Sequence, residues 1–471
     1  MHIIFINPQG NFDSHDSYLT EHPDFGGQLV YVKEIAIAMA QLGHQIDIVT
    51  RRMEDPEWPE FSSEIEYYDG FANNPRIVRI ECGGSKFLPK EKLWPHLDEF
   101  VDNLVNFYGD SLPEFVTSHY ADGGYCAVLF KRKTGIGFTF TGHSLGAQKL
   151  DKLGTNLQNI EAMEARYHFS ERIEAERLAM QYASKIITST HQERREQYAH
   201  PLYSGAVNVE DDTKFSVVPP GVNLNIFSRD AQPHDSVFRE KLLAATGAGD
   251  KSWVLVSSRL DEKKNIQGVV DAYVNDKSLR QKAGLAICIR GVEDPFSDMH
   301  TLSNDEQKVL RPILEAIDEA KLRDHVIFLD IRSQAELAAT YRFFASKKSV
   351  FALTAFYEPF GLAPIEAAAT GLVCVATKNG GPSEIFEDGS GELVDPFDAN
   401  DIARGLNSAL DNVATLAEKG YQRVISTYTW NRTAASYLDA IEDAMQNGNM
   451  IEVQSISIDD ESRILTYLEK S

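Results

Sequence analysis

The sequence predicts an α/β protein built of two doubly wound, mostly parallel sheets. Three observations lead there. Short apolar runs alternate with longer stretches of helical periodicity from end to end, the pattern of repeated strand–helix units. The apolar runs are continuous rather than alternating, as in parallel strands covered on both faces. The 471 residues suffice for two or three domains at roughly 150 residues each, and Pro219-Pro220-Gly221-Val222-Asn223 punctuates the chain near its middle.

The elements follow in order. The run 3–7 is the first strand, and helical periodicity covers 28–42. Strands at 46–50, 76–80, 115–118, 138–141, 185–189 and 215–218 complete a first series, with helices over 96–107 and 171–182. The Pro-Pro-Gly stop places a boundary at 222. After a connector over 228–251 come strands at 253–257, 285–290, 325–329, 349–353, 373–376 and 392–394, with helices over 304–319 and 401–411. The expected domains are 1–222 and 223–430, and 431–471 holds a C-terminal helix that crosses back, then a tail at 447–471.

Composition narrows the function. Lys plus Arg number 46 against 70 Asp plus Glu, a net charge of −24. That excess repels phosphate backbones and anionic lipid surfaces, so neither nucleic acid nor membrane is an expected partner, and an anion site must be built locally. The four cysteines are scattered, which fits a reducing, cytoplasmic compartment. The N-terminal run lacks a basic lead, and no apolar run approaches the roughly 20 residues of a membrane span.

In open α/β sheets ligands bind beyond the carboxyl ends of the strands, so the loops there carry the chemistry. The first runs from Gln9 to Gln28 and ends in Gly26-Gly27-Gln28 at a helix start. Adjacent glycines there let backbone N–H groups approach a sugar or anion, or simply make a turn with positive φ. No Gly-x-Gly-x-x-Gly is present, which argues against a dinucleotide site. Next, Gly142-His143-Ser144-Leu145-Gly146 follows strand 138–141. It matches the nucleophile elbow of hydrolases, with Ser144 as nucleophile, but no partner histidine or oxyanion loop accompanies it. The alternative points His143 into the ligand cleft while Gly142 and Gly146 permit the turn.

Third, Arg259 and Lys264 follow strand 253–257 and can converge on one anion, or form an ordinary solvated loop. Fourth, Glu358 and Glu366 flank Gly361-Leu362-Ala363, where a helix begins after strand 349–353. The free N–H groups at 361–363 suit a diphosphate. The bland reading is a capping and a surface carboxylate. A second glycine pair, Gly380-Gly381, follows the next strand.

These pieces, in this order, resemble the retaining nucleotide-sugar glycosyltransferases of the GT-B type, which have two facing Rossmann-like domains and an interdomain cleft. Asn7-Pro8-Gln9-Gly10-Asn11, His22 to Val32 and Phe140 to Lys149 are closer still to bacterial sucrose-phosphate synthases. The resemblance implies glucose transfer from UDP-glucose to fructose 6-phosphate, giving sucrose 6-phosphate, with a separate sucrose-phosphate phosphatase acting next. It implies acceptor contacts from Gly27, Gln28, Lys90, Tyr120, Ser144, Lys149 and Arg172. It implies donor contacts from Gly26, Gly27, Arg259, Lys264, Gly361, Leu362 and Ala363, with Glu366 on the ribose. His143, Arg259, Lys264 and Glu358 are the expected catalytic set, His143 and Glu358 lying by the donor sugar. No Asp-x-Asp pair is present, so neither metal nor cofactor is expected beyond the nucleotide sugar. Competing readings are a GDP-mannose-dependent mannosylfructose-phosphate synthase, a sucrose synthase using free fructose, and a hydrolase using Ser144.

Overall fold

A computed structural model describes all residues except 16, 18–26, 69, 72, 234, 448–450, 455, 459 and 471. The chain divides into two compact units, Met1–Pro219 with Trp430–Ser471, and Pro220–Thr429.

The first unit holds an eight-stranded sheet. Across it the strands run Ile65–Tyr67, Arg76–Ile80, Gln45–Arg51, His2–Ile6, Phe115–His119, Phe138–Thr141, Lys185–Thr188 and Phe215–Val217. All neighbours are parallel except Ile65–Tyr67 against Arg76–Ile80. The apolar runs become strands because helices cover both faces: Ile3 to Ile6 are fully buried. Helix Gly27–Gln41 buries Leu29, Val32, Ile35 and Met39 on one face, and helix Trp430–Asn447 adds Tyr437 and Ile441 to the same core cluster.

The second unit holds six parallel strands in the order Val326–Leu329, Ala283–Cys288, Ser252–Ser257, Val350–Leu353, Val373–Thr377, Glu392–Val394. In chain order this is 3-2-1-4-5-6, the doubly wound arrangement. Strand order reverses between Ser252–Ser257 and Val350–Leu353, so the loops leaving their carboxyl ends diverge and open a crevice. The parallel strands of the first unit reverse in the same way between His2–Ile6 and Phe115–His119. Among the described residues, no helix is long and apolar enough to cross a membrane.

Candidate active site

In the second unit both reversal-point loops carry expected residues, and backbone contacts lock them together. Asn265 is the hub. It sits at φ 51 and caps helix Ile266–Asn275 by accepting from the Gly268 N–H at 3.1 Å. Its amide donates to Thr354 O at 3.0 Å and Pro396 O at 2.7 Å. One side chain thereby ties three loops that are remote in sequence. The Phe356 N–H donates to Lys263 O at 3.0 Å. Lys264 Nζ then lies 2.6 Å from Glu358 Oε2, both groups largely shielded from solvent. Arg259, in the same loop, is exposed.

The loop bearing Glu358 is braced from its other side by Asn379-Gly380-Gly381. The Glu358 N–H donates to Asn379 O at 3.1 Å and Gly381 N–H to Glu358 O at 2.9 Å. Gly380 has φ 96, and a Cβ there would sit 2.0 Å from Glu358 O. Glycine is therefore obligatory where the second glycine pair occurs. Gly361, at φ 104, opens helix Leu362–Ala369, so the N–H groups of Leu362 and Ala363 fall in its first turn, where helices lack internal acceptors. Glu366, on that helix, is partly buried, and burial pushes its carboxyl up to about 7. A carboxylate raised this way favours hydrogen-bond donors on a ligand.

In the first unit the cations expected for an acceptor phosphate share one neighbourhood. Arg172 stacks 4.6 Å over the Tyr120 ring and donates to Ser144 O at 2.5 Å. Its Nε also bonds Glu176 Oε1 at 3.1 Å. Glu176, fully buried, in turn accepts from the Gly146 N–H at 2.9 Å and from the Tyr203 hydroxyl. Lys149 lies 4.2 Å over the Tyr167 ring. Burial, then the charges of Arg172 and Lys90, pull its ammonium down to about 8. A lysine depressed by neighbouring cations is set up for an anion. Lys90 opens a short turn, Lys90–Lys92, whose approach is held by Arg51. The buried Arg51 guanidinium donates to the carbonyls of Cys82, Gly84 and Lys86 at 2.8, 2.7 and 2.8 Å.

The first loop is described in part. Gly26 lies outside the described residues. Gly27 begins a helix, and among the described residues a Cβ there would touch nothing within 4 Å. Gln28 accepts from Gln9 Nε2 at 3.4 Å and donates to Asn7 Oδ1 at 3.2 Å.

The His143 turn differs from the expectation in its mechanics. The positive φ belongs to His143, at 56°, rather than to Gly142 or Gly146. Those two are small because their surroundings are tight: a Cβ on Gly142 would sit 2.6 Å from Leu145 Cδ2, and one on Gly146 3.1 Å from Arg172 Cδ. Burial draws the His143 imidazole down to about 3, and its Nε2 is engaged by His119 Nδ1 at 2.9 Å. Ser144 is exposed, and its backbone N–H closes a tight turn to Gly142 O at 2.6 Å.

Sequence reading assigned no role to His119, Glu176, Asn265 or Asn379. Each has a partner 23 to 131 positions away in the chain, beyond the reach of local patterns. Glu176 reads as an ordinary polar position of helix Phe169–Tyr182.

Comparison with known proteins agrees with this architecture. The model of the family described as glycosyl transferases group 1 matches residues 238–423, and that of the sucrose synthase first GT-B domain matches 1–241. The two Rossmann-like units with these matches define a GT-B glycosyltransferase, an enzyme that transfers a hexose. A probable sucrose-phosphate synthase of Thermosipho melanesiensis is 46% identical over 444 residues, 94% of this chain and 96% of its own. The chain belongs to the sucrose-phosphate synthase family. The sucrose-phosphate synthase of Zea mays is 33% identical over 94% of this chain, which spans only 47% of that longer relative. The solved sucrose-phosphate synthase of Thermosynechococcus elongatus has the same fold, with a TM-score of 0.67 at 23% identity, covering 95% of this chain and all of that one.

Proposed function

We propose that this chain transfers glucose from UDP-glucose to the anomeric hydroxyl of fructose 6-phosphate, with retention of configuration, giving sucrose 6-phosphate and UDP. The observation that carries the reading is the cluster of Lys90, Tyr120, Lys149 and Arg172 in an otherwise acidic protein. An uncharged acceptor has no use for three converging cations. A phosphate does, and Arg supplies a fork to its oxygens while Lys supplies a point charge.

Departure of UDP builds charge on the diphosphate. Arg259, Lys264 and the N–H groups at 361–363 supply compensating charge where it develops. Lys264, paired with Glu358 at 2.6 Å, passes between that carboxylate and the leaving group. Glu358 then orients hydroxyls of the donor glucose, Glu366 the ribose, and His143 the donor sugar. Gly27 and Gln28 meet the fructosyl group, and Ser144 contacts the acceptor. The product's phosphate is removed by a separate phosphatase.

One other reading has a specific observation behind it: the match of residues 1–241 to a sucrose synthase domain supports free fructose as acceptor. A matrix of UDP-, ADP- and GDP-sugars against fructose, fructose 6-phosphate and glucose 6-phosphate separates the two. Fastest turnover with UDP-glucose and fructose 6-phosphate is expected. Preference for free fructose transfers the chain to the sucrose synthase reading, and preference for GDP-mannose to the mannosyl one.

A further inference from the structure

Behind His143 lies a buried polar line that the roles above do not use. His143 Nε2 stands 2.9 Å from His119 Nδ1, and His119 Nε2 stands 3.1 Å from Thr117 Oγ1. Sheet register puts Thr117 beside Thr139 and His119 beside Thr141, so these side chains share one face. On that face the Tyr437 hydroxyl lies 3.1 Å from both Thr139 Oγ1 and Thr141 Oγ1 and interacts electrostatically with Thr117 as well. His119, Thr117, Thr139 and Tyr437 are fully buried. The line thus runs from helix Trp430–Asn447 through the sheet to His143.

Neighbouring rings fix its geometry. Phe5 stacks flat on His119, centroids 5.5 Å apart and planes within 4°. Tyr31 meets His143 edge-on at 5.0 Å, and Trp430 packs edge-on against Tyr31 at 5.5 Å. Burial holds both imidazoles well below their ordinary pKa, so each ring is neutral and carries one donor and one acceptor. Each link then holds a single proton, and the direction chosen at one link dictates the next. If Thr117 donates to His119, then His119 donates to His143 Nε2, and His143 keeps its proton on Nδ1. If the line runs the other way, His143 donates from Nε2 and Nδ1 is an acceptor. In either case Nδ1 is the ring nitrogen left for a ligand, and its character is set from behind.

We propose that His119 is a positioning residue: it fixes the tautomer and ring plane of His143, and helix Trp430–Asn447 anchors that setting through Tyr437 and Thr117. The proposal rests on the reading of His143 as a group that meets the donor sugar. The C-terminal helix then belongs to the catalytic apparatus of the first unit as well as to its core.

The test combines kinetics with histidine ¹⁵N NMR of the full chain. His119→Phe keeps the stack on Phe5 and removes both ring nitrogens. It is expected to lower kcat about 10- to 100-fold, the range seen when outer partners of ligating histidines are removed, with KM for fructose 6-phosphate within about threefold of the parent on the same argument. His143 is expected to change from one tautomer to a mixture. Tyr437→Phe and Thr117→Val, each lacking one hydroxyl, should shift the same signals with smaller losses of kcat, and they serve if His119→Phe fails to fold. His119→Gln, which restores a donor and an acceptor, should recover part of kcat. An unchanged His143 tautomer in these variants overturns the proposal. So does a changed tautomer with unchanged kcat, provided His143→Ala lowers kcat. If His143→Ala leaves kcat intact, the placement of His143 at the donor sugar fails instead, and the NMR signals still decide the hydrogen-bond line.

Discussion

Replacing Lys149 with Met probes the acceptor phosphate directly, because Met keeps the stem over Tyr167 and removes only the charge. Lys149 is drawn from 10.5 down to about 8, first by burial and then by Arg172 and Lys90. That drop means protonated Lys149 costs about 3 kcal/mol before an anion arrives. A phosphate reverses the sign by adding a partner of opposite charge. Loss of one charged hydrogen bond is worth about 1.5–3 kcal/mol, or roughly 10- to 150-fold in affinity. Steady-state kinetics should therefore show KM for fructose 6-phosphate rising by that factor in Lys149→Met, while KM for free fructose changes less than about threefold. The pH dependence has a definite sign. Below about 8 the lysine is charged and grips phosphate; above it the proton leaves, so the parent enzyme's KM for fructose 6-phosphate should climb through pH 8. The variant should lack that climb. Equal changes for both acceptors, or the same pH profile in parent and variant, would refute the reasoning.

Three further predictions concern the second unit. Lys264→Ala should lower kcat by roughly 10²–10³ through loss of leaving-group stabilisation, with an unchanged circular dichroism spectrum; parent-like turnover contradicts the role. Gly380→Ala places a Cβ 2.0 Å from Glu358 O and should cost at least about 3 kcal/mol, read as a lowered denaturation midpoint together with lost activity; a fully stable, active variant rules out the brace. Glu366→Gln should weaken donor binding yet stabilise the fold. Folding raises this carboxyl from 4.5 to about 7, so its ionised form costs stability increasingly as pH rises between those values, and relief of about 1–3 kcal/mol is expected at pH 8. A lower Tm in that variant at pH 8 contradicts the burial argument.

Much of this molecule was legible in its sequence because parallel strands buried on both faces announce themselves as unbroken apolar runs. All six strands of the second sheet coincide with such runs. The edge strand Ile65–Tyr67 did not, since it is short and only partly buried. Helix Tyr120–Thr134 also escaped, because Ala121 through Lys131 are all buried and no polar face marks a 3.6-residue period. The segments after the strand ends, bearing Lys264, Glu358 and Lys149, stood out by their charge and glycine content. What braces them did not. Asn265 reaches Pro396 across 131 positions, and His119 reaches His143 only because two strands lie side by side. Such contacts are consequences of topology, and a single sequence does not display them.

The most direct measurement is product analysis by ¹H and ³¹P NMR after incubating the full chain with UDP-glucose and an equimolar mixture of fructose and fructose 6-phosphate. Release of UDP together with a new α-glucosyl anomeric signal on a phosphorylated disaccharide is expected. Formation of unphosphorylated sucrose alone, or release of free glucose with neither disaccharide, would contradict it.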